Sequence, residues 1–171
     1  ALDAPHPNTT GATLKRIVVR VKSATEVPLQ LGADESYSLA VNTTHAVIEA
    51  PTQFGAMHGL ETLFQLVVIK NTWDVHSCAL YCGAYVLRVD VPFTIIDAPR
   101  VRWRGLMIDT ARHYLPVATI KHAIEAMAAA KMNALHWHLS DSQSFPLCLA
   151  SAPQLCAVSA YRDRTGAPLN Y

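Results

Sequence analysis

Two short polar clusters hold most of the side chains in this sequence that can do chemistry. The first is Asp109-Thr110-Ala111-Arg112-His113-Tyr114, and the second runs from His136 through Trp137, His138 and Asp141 to Pro146. Arg112 presents a planar fork of donors, which suits vicinal hydroxyls or a carboxylate; the competing role is a salt bridge to Asp109 or another neighbour. Asp141 can orient a histidine or a substrate hydroxyl, and can equally cap the loop that follows it. His136 and His138 stand two apart, so on a strand they point to one face. That spacing binds a metal in some barrel hydrolases, but a site needs a further ligand, and His113 is the nearby candidate. Two structural histidines packed between strand and helix are the simpler reading. Trp137 fits a core position better than a sugar platform. No G-x-S-x-G elbow and no G-x-G-x-x-G loop occurs, so the seryl hydrolase and dinucleotide classes fall away. Ser140, Ser142 and Ser144 read as hydrogen-bonding loop residues.

Both clusters follow short apolar stretches. Residues 106–109 read as a strand, with Pro116 at the first position of a helix. Ile120, Ala123, Ile124, Met127, Ala128 and Met132 form that helix's apolar stripe, and Asn133 its C-terminal cap. Residues 134–139 are a second strand. Strand, helix and strand make a βαβ unit, which is right-handed in nearly all sheets. Polar residues at its C-terminal ends suit an α/β barrel or open α/β sheet, where sites gather at that end. Upstream, residues 14–21, 36–41 and 46–50 alternate as strands of an antiparallel or mixed sheet. Residues 53–69 read as one amphipathic helix covering that sheet, with Thr52 as N-cap and Ala56, Leu60, Leu63, Phe64 and Val67 facing inward. Residues 85–91 and 93–96 are further strands, and Asp97-Ala98-Pro99-Arg100 marks a boundary.

Composition narrows the partners. The chain has 171 residues, 51% of them apolar and 16% charged, with a net charge of +1. Such a chain can build a core, and it carries no basic tract for nucleic acid or an anionic membrane. No apolar run approaches the roughly 18–20 residues of a membrane span. The sequence opens at Ala1 without Met or a signal pattern, which reads as a mature or excised product. Cys78, Cys82, Cys148 and Cys156 allow three pairings; proximity favours two local bridges, and free buried thiols are the equal alternative. A zinc site on His76, Cys78 and Cys82 lacks a fourth ligand. The sequons at Asn8 and Asn42, taken with the cysteines, lean toward a secretory or lysosomal route.

The run Arg104-Gly105-Leu106-Met107-Ile108-Asp109-Thr110-Ala111-Arg112-His113-Tyr114-Leu115-Pro116 resembles the opening of the catalytic barrel of family 20 glycoside hydrolases, the β-N-acetylhexosaminidases. The run from Ala128 to Pro146 does so too. Asp34-Glu35-Ser36-Tyr37-Ser38-Leu39 and Gly55-Ala56-Met57-His58-Gly59-Leu60-Glu61-Thr62-Leu63 resemble the family's N-terminal accessory domain. The likeness runs from about residue 12 to 160, in family order. It implies an α/β chain: an N-terminal α+β accessory domain over residues 1–98, then over 99–171 the first β/α units of a TIM-type (β/α)8 barrel that is incomplete in this chain, since a full barrel takes roughly 250 residues.

The resemblance also implies an activity. The family removes terminal β-linked N-acetylhexosamine from glycoconjugates or chitin oligosaccharides by substrate-assisted retention, an exception to the two-carboxylate scheme. By resemblance, Arg112 grips hydroxyls of the terminal sugar, and Asp141 is a supporting carboxylate that orients a histidine backing the acid glutamate. The family's catalytic Asp-Glu pair lies downstream of these residues, so the chain alone is expected to be inactive. Asp34-Glu35 belongs to the accessory motif, and His58 stands where the family pattern leads one to expect arginine. No cofactor and no metal are implied, and a homodimer of the full-length protein is compatible. Two other readings stay open: a non-enzymatic accessory module that docks on a partner, and a metal-dependent hydrolase using His136 and His138.

Overall fold

The computed structural model describes residues 14–23, 25–71, 83–87, 89–157 and 161–171. Asn8, His76, Cys78 and Cys82 lie outside them, and with them the zinc reading. The chain divides into two compact units, residues 1–102 and 103–171.

The first unit is built on a mixed four-stranded sheet in the order β1-β3-β2-β6. β1 (Arg16–Val21) runs parallel to β3 (His45–Ala50), while β2 (Tyr37–Val41) is antiparallel to both β3 and β6 (Phe93–Asp97). Alternation decides which face is covered. Tyr37, Leu39, Val41, Ala46, Ile48 and Ala50 are buried together with Ala56 and Leu63 of helix α1 (Gln53–Leu66). Leu39 and Ile48 are fully enclosed, each contributing about 1.5–3 kcal/mol relative to an exposed side chain.

Thr52 caps α1 as the sequence predicts: its hydroxyl accepts from the Gly55 amide at 3.4 Å and donates to the Asp34 carbonyl. The buried face of α1 differs from the expected stripe. Gly55, Ala56, Gly59 and Leu63 face the sheet, whereas Leu60 and Phe64 are exposed. The reason is close approach. A Cβ on Gly55 would stand 2.0 Å from the Ser36 carbonyl oxygen, and one on Gly59 2.6 Å from Ile48 Cγ2. The helix also stops at Leu66, three residues before the predicted end. β-branched Val67, Val68 and Ile69 instead enter β4 (Val67–Asn71), which pairs antiparallel with β5 (Gly83–Leu87), a strand set earlier in the chain than the predicted 85–91.

In the second unit β7 (Gly105–Asp109) and β8 (Ala134–His138) are parallel neighbours joined through α2 (Val117–Ala129), the βαβ order read from the sequence. Their register is pinned at the N-terminal ends. The Arg104 amide donates to Asn133 Oδ1 at 3.0 Å, the Asn133 amide returns a bond to the Arg104 carbonyl at 2.9 Å, and Arg104 Nε reaches the Lys131 carbonyl at 2.7 Å. Asn133 is thus a strand-register residue and not the predicted helix cap. Lys131 takes the left-handed conformation (φ 54°), and the Lys131 and Met132 amides close on the Ala128 and Met127 carbonyls in a Schellman turn. Pro116 is the N-cap, one position before its predicted place. Of the α2 stripe, Ile120 and Met127 are buried but Ile124 is 48% exposed. On β7, Ile108 is buried and Met107 on the opposite face is exposed. A short helix α3 (Pro153–Ala157) follows. Residues 161–171 then fold back through an Arg162–Pro168 bridge, turned by Asp163, whose Oδ1 accepts from the Thr165 and Ala167 amides.

Candidate active site

Each of the two polar clusters is shaped by an aspartate that turns its own loop. Asp109, the last residue of β7, accepts at Oδ1 from the Ala111 amide (3.1 Å) and the Arg112 amide (3.0 Å). Asp141, three residues past β8, accepts at Oδ1 from the Gln143 amide (2.9 Å) and the Ser144 amide (3.0 Å). Both are Asx turns, the local bonding for which aspartate is favoured where a strand gives way to a loop. The parallel register places Asp109 opposite His138, so the two loops leave the same end of the sheet.

Arg112 spans the gap between them. Its Nε donates to Asp141 Oδ2 at 3.1 Å, and its Nη1 lies 3.7 Å from Asp109 Oδ2. The Arg112 side chain is 69% exposed while that of Asp141 is only 13% exposed, so a shielded carboxylate holds an arginine that faces outward. The Gln143 amide, followed by the Arg112 guanidinium and the Ser144 amide, holds the Asp141 carboxyl below the usual carboxylate range, against the opposing pull of burial. The result is a fixed negative charge behind a donor fork, suited to a ligand rich in hydroxyl groups. The two expected roles of Asp141, loop cap and orienting carboxylate, are compatible, because each uses a different oxygen.

The histidines separate. His136 is exposed on the same face as Met107, and His113 is exposed in the Arg112 loop. His138 points its Nε2 at Asp141 Oδ2 at 3.7 Å. Among the described residues no three His, Cys, Asp or Glu side chains gather into a metal site. Trp137 is neither fully core nor an open platform. It is 36% exposed, donates from Nε1 to Thr110 Oγ1 at 2.8 Å, and meets the Tyr171 ring edge-on at 5.3 Å. Cys148 is disulfide-bonded, so for this residue the disulfide holds over the free thiol. In the first unit, Asp34 accepts from the Ser36 amide and hydroxyl (2.9 and 2.6 Å), and Glu35 lies 3.7 Å from His58; this Asp-Glu pair is engaged in local structure. Asn42 sits exposed in the β2–β3 hairpin.

Sequence reasoning missed three hydroxyls around Arg112. Thr110 is fully buried and donates to the Leu139 carbonyl at 3.3 Å. The Tyr161 hydroxyl donates to the Ala111 carbonyl at 2.6 Å. The Tyr171 hydroxyl accepts from the Leu115 amide (3.0 Å) and donates to the Leu115 carbonyl (2.6 Å). Thr110 belongs to the quoted motif, but the tyrosines lie in an irregular segment without periodicity to mark them.

The family model for the catalytic domain of glycosyl hydrolase family 20 matches residues 101–169, and one described as beta-acetyl hexosaminidase like matches residues 2–66. The chain belongs to glycoside hydrolase family 20. Family 20 relatives agree with it over most of its length. Beta-hexosaminidase 3 of Arabidopsis thaliana is 43% identical over 149 residues, which is 84% of this chain and 26% of that protein. The Homo sapiens beta-hexosaminidase subunit beta is 39% identical over 145 residues, 85% of this chain and 24% of that one. Among solved family 20 structures, the Flavobacterium johnsoniae chitobiase superposes with a TM-score of 0.66 at 34% identity, covering 96% of this chain and 21% of its own. The chain therefore spans about a quarter of the length of the curated relatives it matches.

Proposed function

We propose that these residues are the N-terminal part of a β-N-acetylhexosaminidase. Residues 1–98 form its accessory α+β domain, and 99–171 the first units of a catalytic (β/α)8 barrel completed by chain beyond them. Arg112 binds hydroxyls of the terminal N-acetylhexosamine. Asp141 is the supporting carboxylate that orients a histidine behind the acid. The reaction is substrate-assisted retention: the 2-acetamido oxygen attacks the anomeric carbon, and a downstream Asp-Glu pair orients the acetamide and protonates the leaving oxygen. Residues 1–171 alone have no turnover, because that pair is not among them.

The observation that carries this reading is the 3.1 Å Arg112–Asp141 bond at the C-terminal ends of two parallel strands, where α/β barrels gather their chemistry. The disulfide at Cys148 and the exposed sequon at Asn42 support passage through the secretory route, to lysosome or exterior. A chromogenic β-N-acetylhexosaminide, offered to the full-length protein and to residues 1–171, tests it. The expected result is hydrolysis by the first, none by the second, and a fall of about 100-fold or more in kcat/KM on Arg112→Ala, as for loss of a charged group that binds the transition state. Turnover by residues 1–171, or unchanged kcat/KM in Arg112→Ala, overturns the assignment.

A further inference from the structure

Nothing in the loop that carries Arg112 is regular secondary structure, yet its backbone is bonded at several points. Thr110 is joined to β8 through its amide and the His138 carbonyl at 2.9 Å. Ala111 is buried, and its carbonyl takes the Tyr161 hydroxyl. Leu115 is bonded at both amide and carbonyl by the one Tyr171 hydroxyl. Arg112 lies between the two tyrosine contacts. The rings are themselves packed: Tyr114 stacks on Tyr171 at 4.9 Å and meets Tyr161 at 6.2 Å, and Trp137 closes on Tyr171 edge-on. The segment bearing the tyrosines is anchored in turn. The Leu169 amide bonds to the Tyr161 carbonyl at 3.0 Å, the Tyr171 amide to the Pro146 carbonyl at 2.8 Å, and the Cys148 amide to the Tyr171 carbonyl at 2.9 Å, beside a disulfide. Burial raises the Tyr171 phenol above its ordinary value, so the hydroxyl stays protonated and able to donate.

We propose that Tyr161 and Tyr171 are positioning residues for Arg112: their hydroxyls lock the 110–116 loop so that the guanidinium is held ready for the sugar. The inference rests on the glycosidase reading for its consequence in catalysis, and on geometry alone for the lock. A hydroxyl that bonds the loop backbone touches no substrate. Its loss should let Arg112 wander, weakening ground-state and transition-state binding alike. That signature is a raised KM with kcat little changed.

The test uses the full-length protein with Tyr161→Phe, Tyr171→Phe and the pair, which keep the rings and remove only the hydroxyls. Expected are a rise in KM of about 3- to 10-fold for Tyr161→Phe, which loses one hydrogen bond, and a rise at least as large for Tyr171→Phe, which loses two, with kcat within about 2-fold in both. Hydrogen exchange of the peptide over 110–116 should quicken in the same variants. In the unmodified protein the Leu115 amide should already be protected, a measurement that needs no variant to fold. Quickened exchange with unchanged KM in an active enzyme overturns the positioning role, and so does a fall in melting temperature and kcat at constant KM. An unprotected Leu115 amide overturns the lock itself. Exchange needs no turnover, so an inactive unmodified protein overturns the glycosidase reading while the lock is decided by exchange alone.

Discussion

Gly55→Ala puts the packing of α1 to a direct test. Alanine is the best helix former and glycine among the worst, so propensity alone favours the substitution by about 1 kcal/mol. Steric contact points the other way. The new Cβ would lie 2.0 Å from the Ser36 carbonyl oxygen and 3.1 Å from the Ala50 Cβ, whereas real Cβ atoms stay beyond 3.0 Å, so helix or strand must yield by about 1 Å. The obstacle is backbone, not the end of a flexible side chain, and Ala50 and Ala56 beside it are buried. A clash this short against backbone stands at the upper end of the roughly 1–3 kcal/mol that overpacking costs, and so outweighs the propensity gain. A net loss of about 1–2 kcal/mol lowers the melting temperature of a unit this size by about 4–16 °C. Circular dichroism melts of Gly55→Ala beside Met57→Ala, an exposed position on the same helix, measure it. An unchanged or higher melting temperature in Gly55→Ala would refute the close approach of α1 to the sheet.

Two more outcomes follow from the structure. Asn42 Oδ1 accepts from the Thr44 and His45 amides in an exposed hairpin, so expression through a glycosylating route should give a mass shift that an N-glycanase removes and Asn42→Gln lowers by one glycan; an unshifted product would sink the sequon reading. Asp141 has its folded pKa held below the unfolded value of about 3.9, so its contribution to stability is full above that value and is lost as pH falls through the folded one. Urea midpoints of wild type and Asp141→Asn should therefore run parallel from pH 7 to about pH 4 and converge below it. A gap that persists at lower pH would refute the coupling.

What was legible in the sequence follows from what each signal measures. A period of two marks a half-buried strand directly, and β2 and β3 lie where alternation puts them. The α1 stripe was misread because hydropathy rewards large apolar groups such as Leu60 and Phe64. The contact face is made by Gly55 and Gly59, whose value is the absence of a side chain. The end of α1 was overrun because Val67, Val68 and Ile69 extend an apolar run that helix and strand share. At the site, Arg112 and Asp141 were visible as charged residues just beyond strand ends. Their mutual bond needed the register of β7 on β8, which Arg104 and Asn133 set from the opposite end. Lys131 carries the left-handed turn where glycine or asparagine is usual, so composition gave no warning of where α2 stops.

The contacts that set Arg112 all fall between Asp109 and Tyr171. Asp141 is 29 residues away, Tyr161 lies 50 from Ala111, and Tyr171 lies 56 from Leu115. Loop-closure cost grows only slowly with such lengths. During synthesis at about 5–20 residues per second, every one of these partners has been made within several seconds of Asp109. The corner formed by Arg112 and Asp141 can thus take shape on the nascent chain, the arginine already held by its carboxylate. In the proposed barrel, strands made later would meet a 110–116 loop already fixed by Tyr161 and Tyr171.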